Sequence, residues 1–226
     1  MERDYKQNIT KLKDTINIPI KEDGSPMVVL NPKVFRIEYK KPDMKSLFGD
    51  KIYVRKAVAD KLLNVQNRIK EERSELQLLI VYGYRTPEVQ QAYFSERIKD
   101  VEKGYPYLND NDKREMAHSM SADPNSAGHT VGGAVDITLW DNNKNQEVDM
   151  GSAIVEFGDI AYTFYPNISE EQKNNRLYLY RNMLAEGFAP FLGEWWHFSY
   201  GDKEWAFYYK KLCALYDKIE LDKIPQ

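Results

Sequence analysis

From Lys56 onward the apolar positions Val58, Leu62, Val65 and Ile69 fall three or four residues apart, with Lys, Arg and Glu between them. That period predicts an amphipathic helix laid on an apolar surface. Leu76-Gln77-Leu78-Leu79-Ile80-Val81-Tyr82 breaks the period: it is short, aliphatic and closed by Gly83, and predicts a buried strand that delivers Tyr84 and Arg85 at its end. Thr86 as N-cap and Pro87 at the first helical position open the next helix, with Val89, Phe94, Ile98 and Val101 on its buried side. Further on, Val135, Ile137 and Leu139 alternate with Asp136, Thr138 and Trp140, which predicts a strand that turns Asp136 toward a site.

Ser169-x-x-Gln172 has the form of a capping box and opens a helix through Leu177, Tyr180 and Leu184 that stops at Gly187. Phe188 to Tyr200 then return as strands and turns, and a stripe of Trp205, Tyr208, Leu212, Leu215 and Ile219 predicts an additional C-terminal helix over residues 202–219. Residues 1–50 carry turn signals such as Asp23-Gly24-Ser25-Pro26 between short apolar runs, and read as extended segments wrapped on a core. Residues 103–128 lack a period and collect Gly, Pro, Asn, Asp and Ser, which predicts a long loop forming an active-site wall.

With 226 residues, 42% of them hydrophobic, the chain has enough apolar material for one domain spanning residues 1–226. Net charge is −3 and the 30% charged residues are mixed in sign along the chain, which argues against nucleic-acid and membrane partners. The single cysteine, Cys213, sits in an apolar stretch as a buried, inert thiol, and no intramolecular disulfide is possible. The opening Met1-Glu2-Arg3-Asp4 is charged where an export signal needs an apolar core, and Leu76–Tyr82 is too short to span a bilayer; a cytoplasmic protein is expected.

The candidate chemistry lies in Gly128-His129-Thr130-Val131-Gly132-Gly133-Ala134-Val135-Asp136 and Glu194-Trp195-Trp196-His197. His129, Asp136 and His197 supply three of zinc's four tetrahedral positions and leave the fourth for a water, which marks a catalytic site with one Zn2+ per chain. Seven residues separate His129 from Asp136, roughly 10 Å on a continuous helix, so Gly132-Gly133 must bend the backbone for both to reach one ion. Glu194, three residues before His197, is placed to act as general base. Arg85, projecting from a strand end, is placed to stabilise an oxyanion or bind a carboxylate. His118 lies in a polar segment with no matching motif and is read as an ordinary polar residue.

These residues resemble the zinc D-alanyl-D-alanine peptidases, and within them the VanX-type dipeptidases. The resemblance rests on His129-x-x-Gly132-x-Ala134-x-Asp136, Glu194-Trp195-Trp196-His197, Gly83-Tyr84-Arg85, Met150-Gly151-Ser152 and Glu186-Gly187-Phe188, in matching order. It implies an α+β fold with helices around a central, largely antiparallel sheet. It also implies His129, Asp136 and His197 as zinc ligands, Glu194 as base, Arg85 as transition-state stabiliser and a small D-amino-acid peptide as substrate.

Two positions depart from the pattern, and the C-terminal helix after Tyr200 extends beyond the short tail the resemblance implies. Ala127 stands where the family has serine, and Ala153-Ile154-Val155-Glu156 stands where it has an Asp that holds the substrate's amino group, so that carboxylate is lost or displaced to Glu156. Three functions follow in order of expectation: a D-alanyl-D-alanine dipeptidase; a D,D-carboxypeptidase or muropeptide peptidase acting on longer cell-wall peptides; and a non-catalytic zinc-containing module whose helix face around Trp205 and Tyr209 binds a protein.

Overall fold

The computed structural model describes residues 5–6 and 9–225. The elements in chain order are α1 (Leu12–Thr15), β1 (Met27–Val29), β2 (Arg36–Ile37), α2 (Pro42–Phe48), β3 (Tyr53–Arg55), α3 (Lys56–Glu72), β4 (Leu76–Tyr82) and α4 (Pro87–Gly104). They continue with α5 (Asp110–His118), β5 (Ala134–Asp141), β6 (Gln146–Glu147), α6 (Glu170–Ala185), β7 (Ala189–Pro190), β8 (His197–Ser199) and α7 (Lys203–Tyr208). The main sheet runs β2-β4-β5-β8-β7, with β6 paired to β5; β2 lies parallel to β4 and every other pair is antiparallel. This is the α+β arrangement expected, with β1 and β3 forming a separate antiparallel pair.

β4 and β5 are the centre of the sheet, and both are covered on their two faces. That is why β4 is nearly continuously apolar rather than alternating, and why even Asp136 and Thr138 on β5 are buried. On α3 the predicted stripe Val58, Leu62, Val65 and Ile69 is fully buried, each side chain contributing about 1.5–3 kcal/mol of apolar burial. Thr86 caps α4 through the Val89 amide with Pro87 in the first turn, and Ser169 and Gln172 close a reciprocal capping box at α6. The helix ends where Gly187 turns with φ +79°.

Several expectations are corrected. Residues 103–128 contain α5, capped by the Asn109 side chain on the Asp112 amide; the helix buries little beyond Ala117, so it leaves no apolar period to read. Within residues 1–50, α1 and α2 are helical, the second started by Pro42. The predicted helix over 202–219 ends at Tyr208, because Lys210 takes a left-handed φ of 51° and Leu212, on the supposed apolar stripe, is 93% exposed. Beyond it the backbone is tied to other segments, Ala214 to Pro19 and Ile219 to Thr130. Cys213 is half-buried rather than buried.

Candidate metal centre and cleft

The sheet register assembles the centre. Asp136 on β5 stands opposite His197 on β8 and Tyr82 on β4, and cross-strand partners share a face, so three distant residues meet at one end of the sheet. His129 arrives from a 3-10 turn, Gly128–Val131, that immediately precedes β5. Gly132, in the Gly-Gly pair expected to bend the backbone, ends that turn with a left-handed φ of +69°, and a Cβ there would meet the Met27 sulfur at 2.6 Å.

His129 Nδ1 lies 2.7 Å from the Gly83 carbonyl oxygen, which can only accept, so the proton sits on Nδ1 and Nε2 is left as a ligand atom. Nε2 is 3.4 Å from Asp136 Oδ1, and His197 Nδ1 is 3.1 Å from the same oxygen. A tetrahedral zinc ion with bonds of about 2.0–2.2 Å holds its donors about 3.3–3.6 Å apart. The three donor atoms all lie within 4.8 Å of one another, so donor type and spacing fit the ion.

The electrostatics are those of a buried cluster. Burial, which disfavours imidazolium, takes His129 down to about 4. The same burial is outweighed at His197 by the hydrogen bond and charge of Asp136 and by Glu194 and Glu204, raising it to about 9. Asp136 is held well below its usual range because the two histidines outweigh its desolvation. Glu194 is pushed up by burial, against the pull of His197, Lys41 and Arg85.

Around the centre opens a cleft of about 690 Å³, within the range of small-ligand sites. Glu194 lines it beside His197, and Trp196, fully buried, forms apolar backing. Arg85, 6% exposed, is held by Tyr82 Oη at 3.2 Å and Gln90 Oε1 at 2.7 Å. Its Nη2 donates to none of the described residues. All five sequence-predicted site residues therefore meet in one cleft.

Part of the cleft wall is the segment after Met150-Gly151-Ser152. Arg176 on α6 fixes it by donating to the Met150 carbonyl at 2.6 Å and the Tyr162 carbonyl at 2.7 Å, and Trp195 Nε1 donates to Ser152 at 2.9 Å. So clamped, Val155 holds φ at 62°, a conformation costing a β-branched residue about 1–3 kcal/mol, and lines the cleft. Glu156 is exposed, its carboxylate accepting from the Ala153 amide, and does not line the cleft. The expected carboxylate is therefore not supplied by Glu156; the carboxylate this segment places in the cleft wall is Asp159, which accepts from Tyr5 Oη at 2.8 Å.

Three cleft residues had no sequence signal. His118, read as an ordinary polar residue, lines the cleft while its Nδ1 accepts from the Asp123 amide at 3.0 Å; it stays outside the metal cluster. Lys41 lines the cleft from the start of α2. Glu204 on α7 places Oε2 4.0 Å from His197 Nε2, and burial raises its pKa to about 8. A carboxyl group hydrogen-bonded to the second nitrogen of a metal-ligating histidine fixes ring orientation and is typically worth about 10–100-fold in metal affinity; Glu204 stands at ion-pair rather than hydrogen-bond distance from that nitrogen of His197, so this range is an upper bound. Glu204→Ala is expected to weaken zinc binding by up to that factor, and Glu204→Gln by less, in competition titration against a chelating dye.

A family profile described as D-ala-D-ala dipeptidase (Peptidase_M15) matches residues 45–216. The chain belongs to this family. As a member of the D-ala-D-ala dipeptidase family it is a peptidase. It is 29% identical over 240 residues to a D-alanyl-D-alanine dipeptidase of Synechocystis sp., covering 93% of this chain and 96% of that one. Among solved structures, the LD-carboxypeptidase LdcB overlaps 81% of this chain and 71% of its own at 20% identity and a TM-score of 0.45. VanYB in complex with D-alanine-D-alanine overlaps 80% and 86% at 16% identity and a TM-score of 0.43. Trp205, proposed from sequence as part of an exposed partner face, is 7% exposed and donates to the Gly187 carbonyl; Tyr209 bonds to Phe188. Among the described residues no helix is long and apolar enough to cross a membrane.

Proposed function

We propose that this member of the D-alanyl-D-alanine dipeptidase family hydrolyses D-alanyl-D-alanine, or a closely related D-amino-acid dipeptide, with one zinc ion held by His129, Asp136 and His197. The observation that carries this reading is the convergence of that donor trio with Glu194 and Arg85 in a single cleft. A bound zinc ion supplies Lewis-acid polarisation and lowers the pKa of water at its open position to about 7.

The chain's own residues supply the rest. Glu194, whose pKa burial raises above the usual carboxylate range, takes a proton from the attacking water and returns it to the leaving amine nitrogen. Arg85 is held at two of its nitrogens and offers Nη2 to the carbonyl oxygen as negative charge develops there. Gly83 keeps His129 in the tautomer that presents Nε2. Trp195 and Trp196 exclude solvent behind Glu194 and strengthen each of these interactions.

A second reading, a D,D-carboxypeptidase acting on longer cell-wall peptides, is favoured by Val155 in the wall where an amine-binding carboxylate was expected. The two separate in one assay. Zinc-loaded protein is expected to release D-alanine from D-alanyl-D-alanine with a kcat/KM at least tenfold above that for a pentapeptide ending in D-Ala-D-Ala. The inverse ratio would establish the carboxypeptidase instead, and no release from either would refute both.

A further inference from the structure

Lys41 is a cation of the cleft that has no role in the chemistry above. Lys41 precedes Pro42, which restricts it to extended backbone, and its observed φ of −121° and ψ of 141° send the side chain from the start of α2 into the cleft. The ammonium stands among three rings, 5.4 Å from the centre of Tyr93, 5.7 Å from Phe157 and 5.8 Å from Tyr82. It makes no hydrogen bond or ion pair with any described residue. Asp43, two residues on, is already engaged, accepting from Tyr82 Oη at 2.8 Å and from Tyr93 Oη.

Arg85 lies against two of the same rings, 4.7 Å from Tyr82 and 5.2 Å from Tyr93, so the two cations share one wall. Burial, reinforced by Arg85, lowers the pKa of Lys41 against the pull of Asp136, Glu194 and Asp43. Of the carboxylates lining the cleft, Asp136 is occupied by two imidazoles, Glu194 is the proposed base, Glu96 pairs with Arg97, Asp159 is engaged by Tyr5 and Lys6, and Glu204 stands at His197. Ring faces compensate a desolvated ammonium by about 0.5–2 kcal/mol each, less than a charge-assisted hydrogen bond to a carboxylate provides. Within the described protein that carboxylate is missing. Val155, which lines the same cleft, offers nothing to an ammonium.

We propose that Lys41 is the specificity-determining cation of this cleft, binding a carboxylate of the substrate peptide and orienting the chain with its acidic end on the wall formed by Tyr82, Tyr93 and Phe157. The inference rests on the peptidase reading above and adds what the site selects for. The carboxylate has two sources of the same chemistry: the C-terminal α-carboxylate of the D,D-peptide, or an acidic group on its acyl side.

The test measures binding by calorimetry on zinc-loaded protein carrying Glu194→Gln, so that turnover is not needed. The ligands are D-alanyl-D-alanine, D-alanyl-D-alaninamide and N-succinyl-D-alanyl-D-alaninamide, each with and without Lys41→Met. A loss of at least tenfold confined to D-alanyl-D-alanine assigns Lys41 to the C-terminal carboxylate. The same loss confined to the succinyl compound assigns it to the acyl side. Lys41→Arg, which keeps the charge, is expected to recover most of the loss. An equal loss on all three ligands, no loss on any, or no binding of any ligand before Lys41 is changed, overturns the proposal. Absence of turnover of every D,D-peptide by the unsubstituted protein would refute the proposed reaction while leaving this binding comparison to stand or fall separately.

Discussion

Glu194→Gln is expected to lower kcat for D-alanyl-D-alanine by about 10²–10⁴-fold, the usual contribution of a positioned general acid–base group. The amide keeps the size and planarity of the carboxylate, so the flanking Trp195 and Trp196 stay packed and Arg85 stays aimed. What it loses is the capacity to take a proton from the attacking water. Because that interaction matters in the transition state and not in ground-state binding, kcat and kcat/KM should fall together and KM should move little. Zinc content, read by elemental analysis, is expected to remain at one per chain, since Glu194 is not among the donor atoms that converge. Thermal stability should be unchanged or slightly raised, because burial already disfavours the charged form of this side chain. An undiminished kcat in the zinc-replete variant would refute the assignment of Glu194 as base.

The candidate site was more legible in the sequence than the chain path around it, for a physical reason. Metal chemistry constrains residue type as well as position, so His129, Asp136, His197 and Glu194 carry their meaning in identity and local spacing. A bend at Gly132-Gly133 was readable on the same basis, because His129 and Asp136 could not converge on a continuous helix, while the left-handed φ at Gly132 was seen only in the fold. What no local pattern revealed was the register that sets Asp136 opposite His197, since that depends on how β5 and β8 pair across sixty residues of intervening chain.

Lys41 and Glu204 were invisible for a related reason. Each sits in a charged segment, Lys40-Lys41-Pro42 and Asp202-Lys203-Glu204, of the kind that usually faces water. Only the packing of α2 and α7 against the cleft makes them interior groups. The misread segments show the converse. α5 was missed because its residues are mostly polar, and residues 209–219 were overread because aromatic spacing matched a helix that Lys210 and Leu212 do not continue. Periodicity reports an apolar face reliably only where one face is buried along the whole element, as on α3.

Asp136→Asn is expected to have the broader effect, because Asp136 is the one residue that both imidazoles share. Its Oδ1 lies within 3.4 Å of His129 Nε2 and 3.1 Å of His197 Nδ1, and it is 3% exposed. Asparagine preserves the shape but removes the negative charge, leaving a neutral donor set for a dication. Removing a carboxylate one step further out, at Glu204, is expected to cost at most about 10–100-fold in zinc affinity, so loss of the charge in direct reach of the ion should exceed about a hundredfold. The measurement need not involve turnover. A ligand that binds only the native state stabilises it in proportion to the logarithm of its concentration over Kd, about 4 kcal/mol at a thousandfold excess. Zinc should therefore raise the Tm of the unsubstituted protein by several degrees, raise that of Glu204→Ala less, and leave Asp136→Asn nearly unmoved at the same concentration. A full zinc-dependent rise in Asp136→Asn would remove Asp136 from the ligand set and, with it, the reason for reading the sheet end as the metal centre.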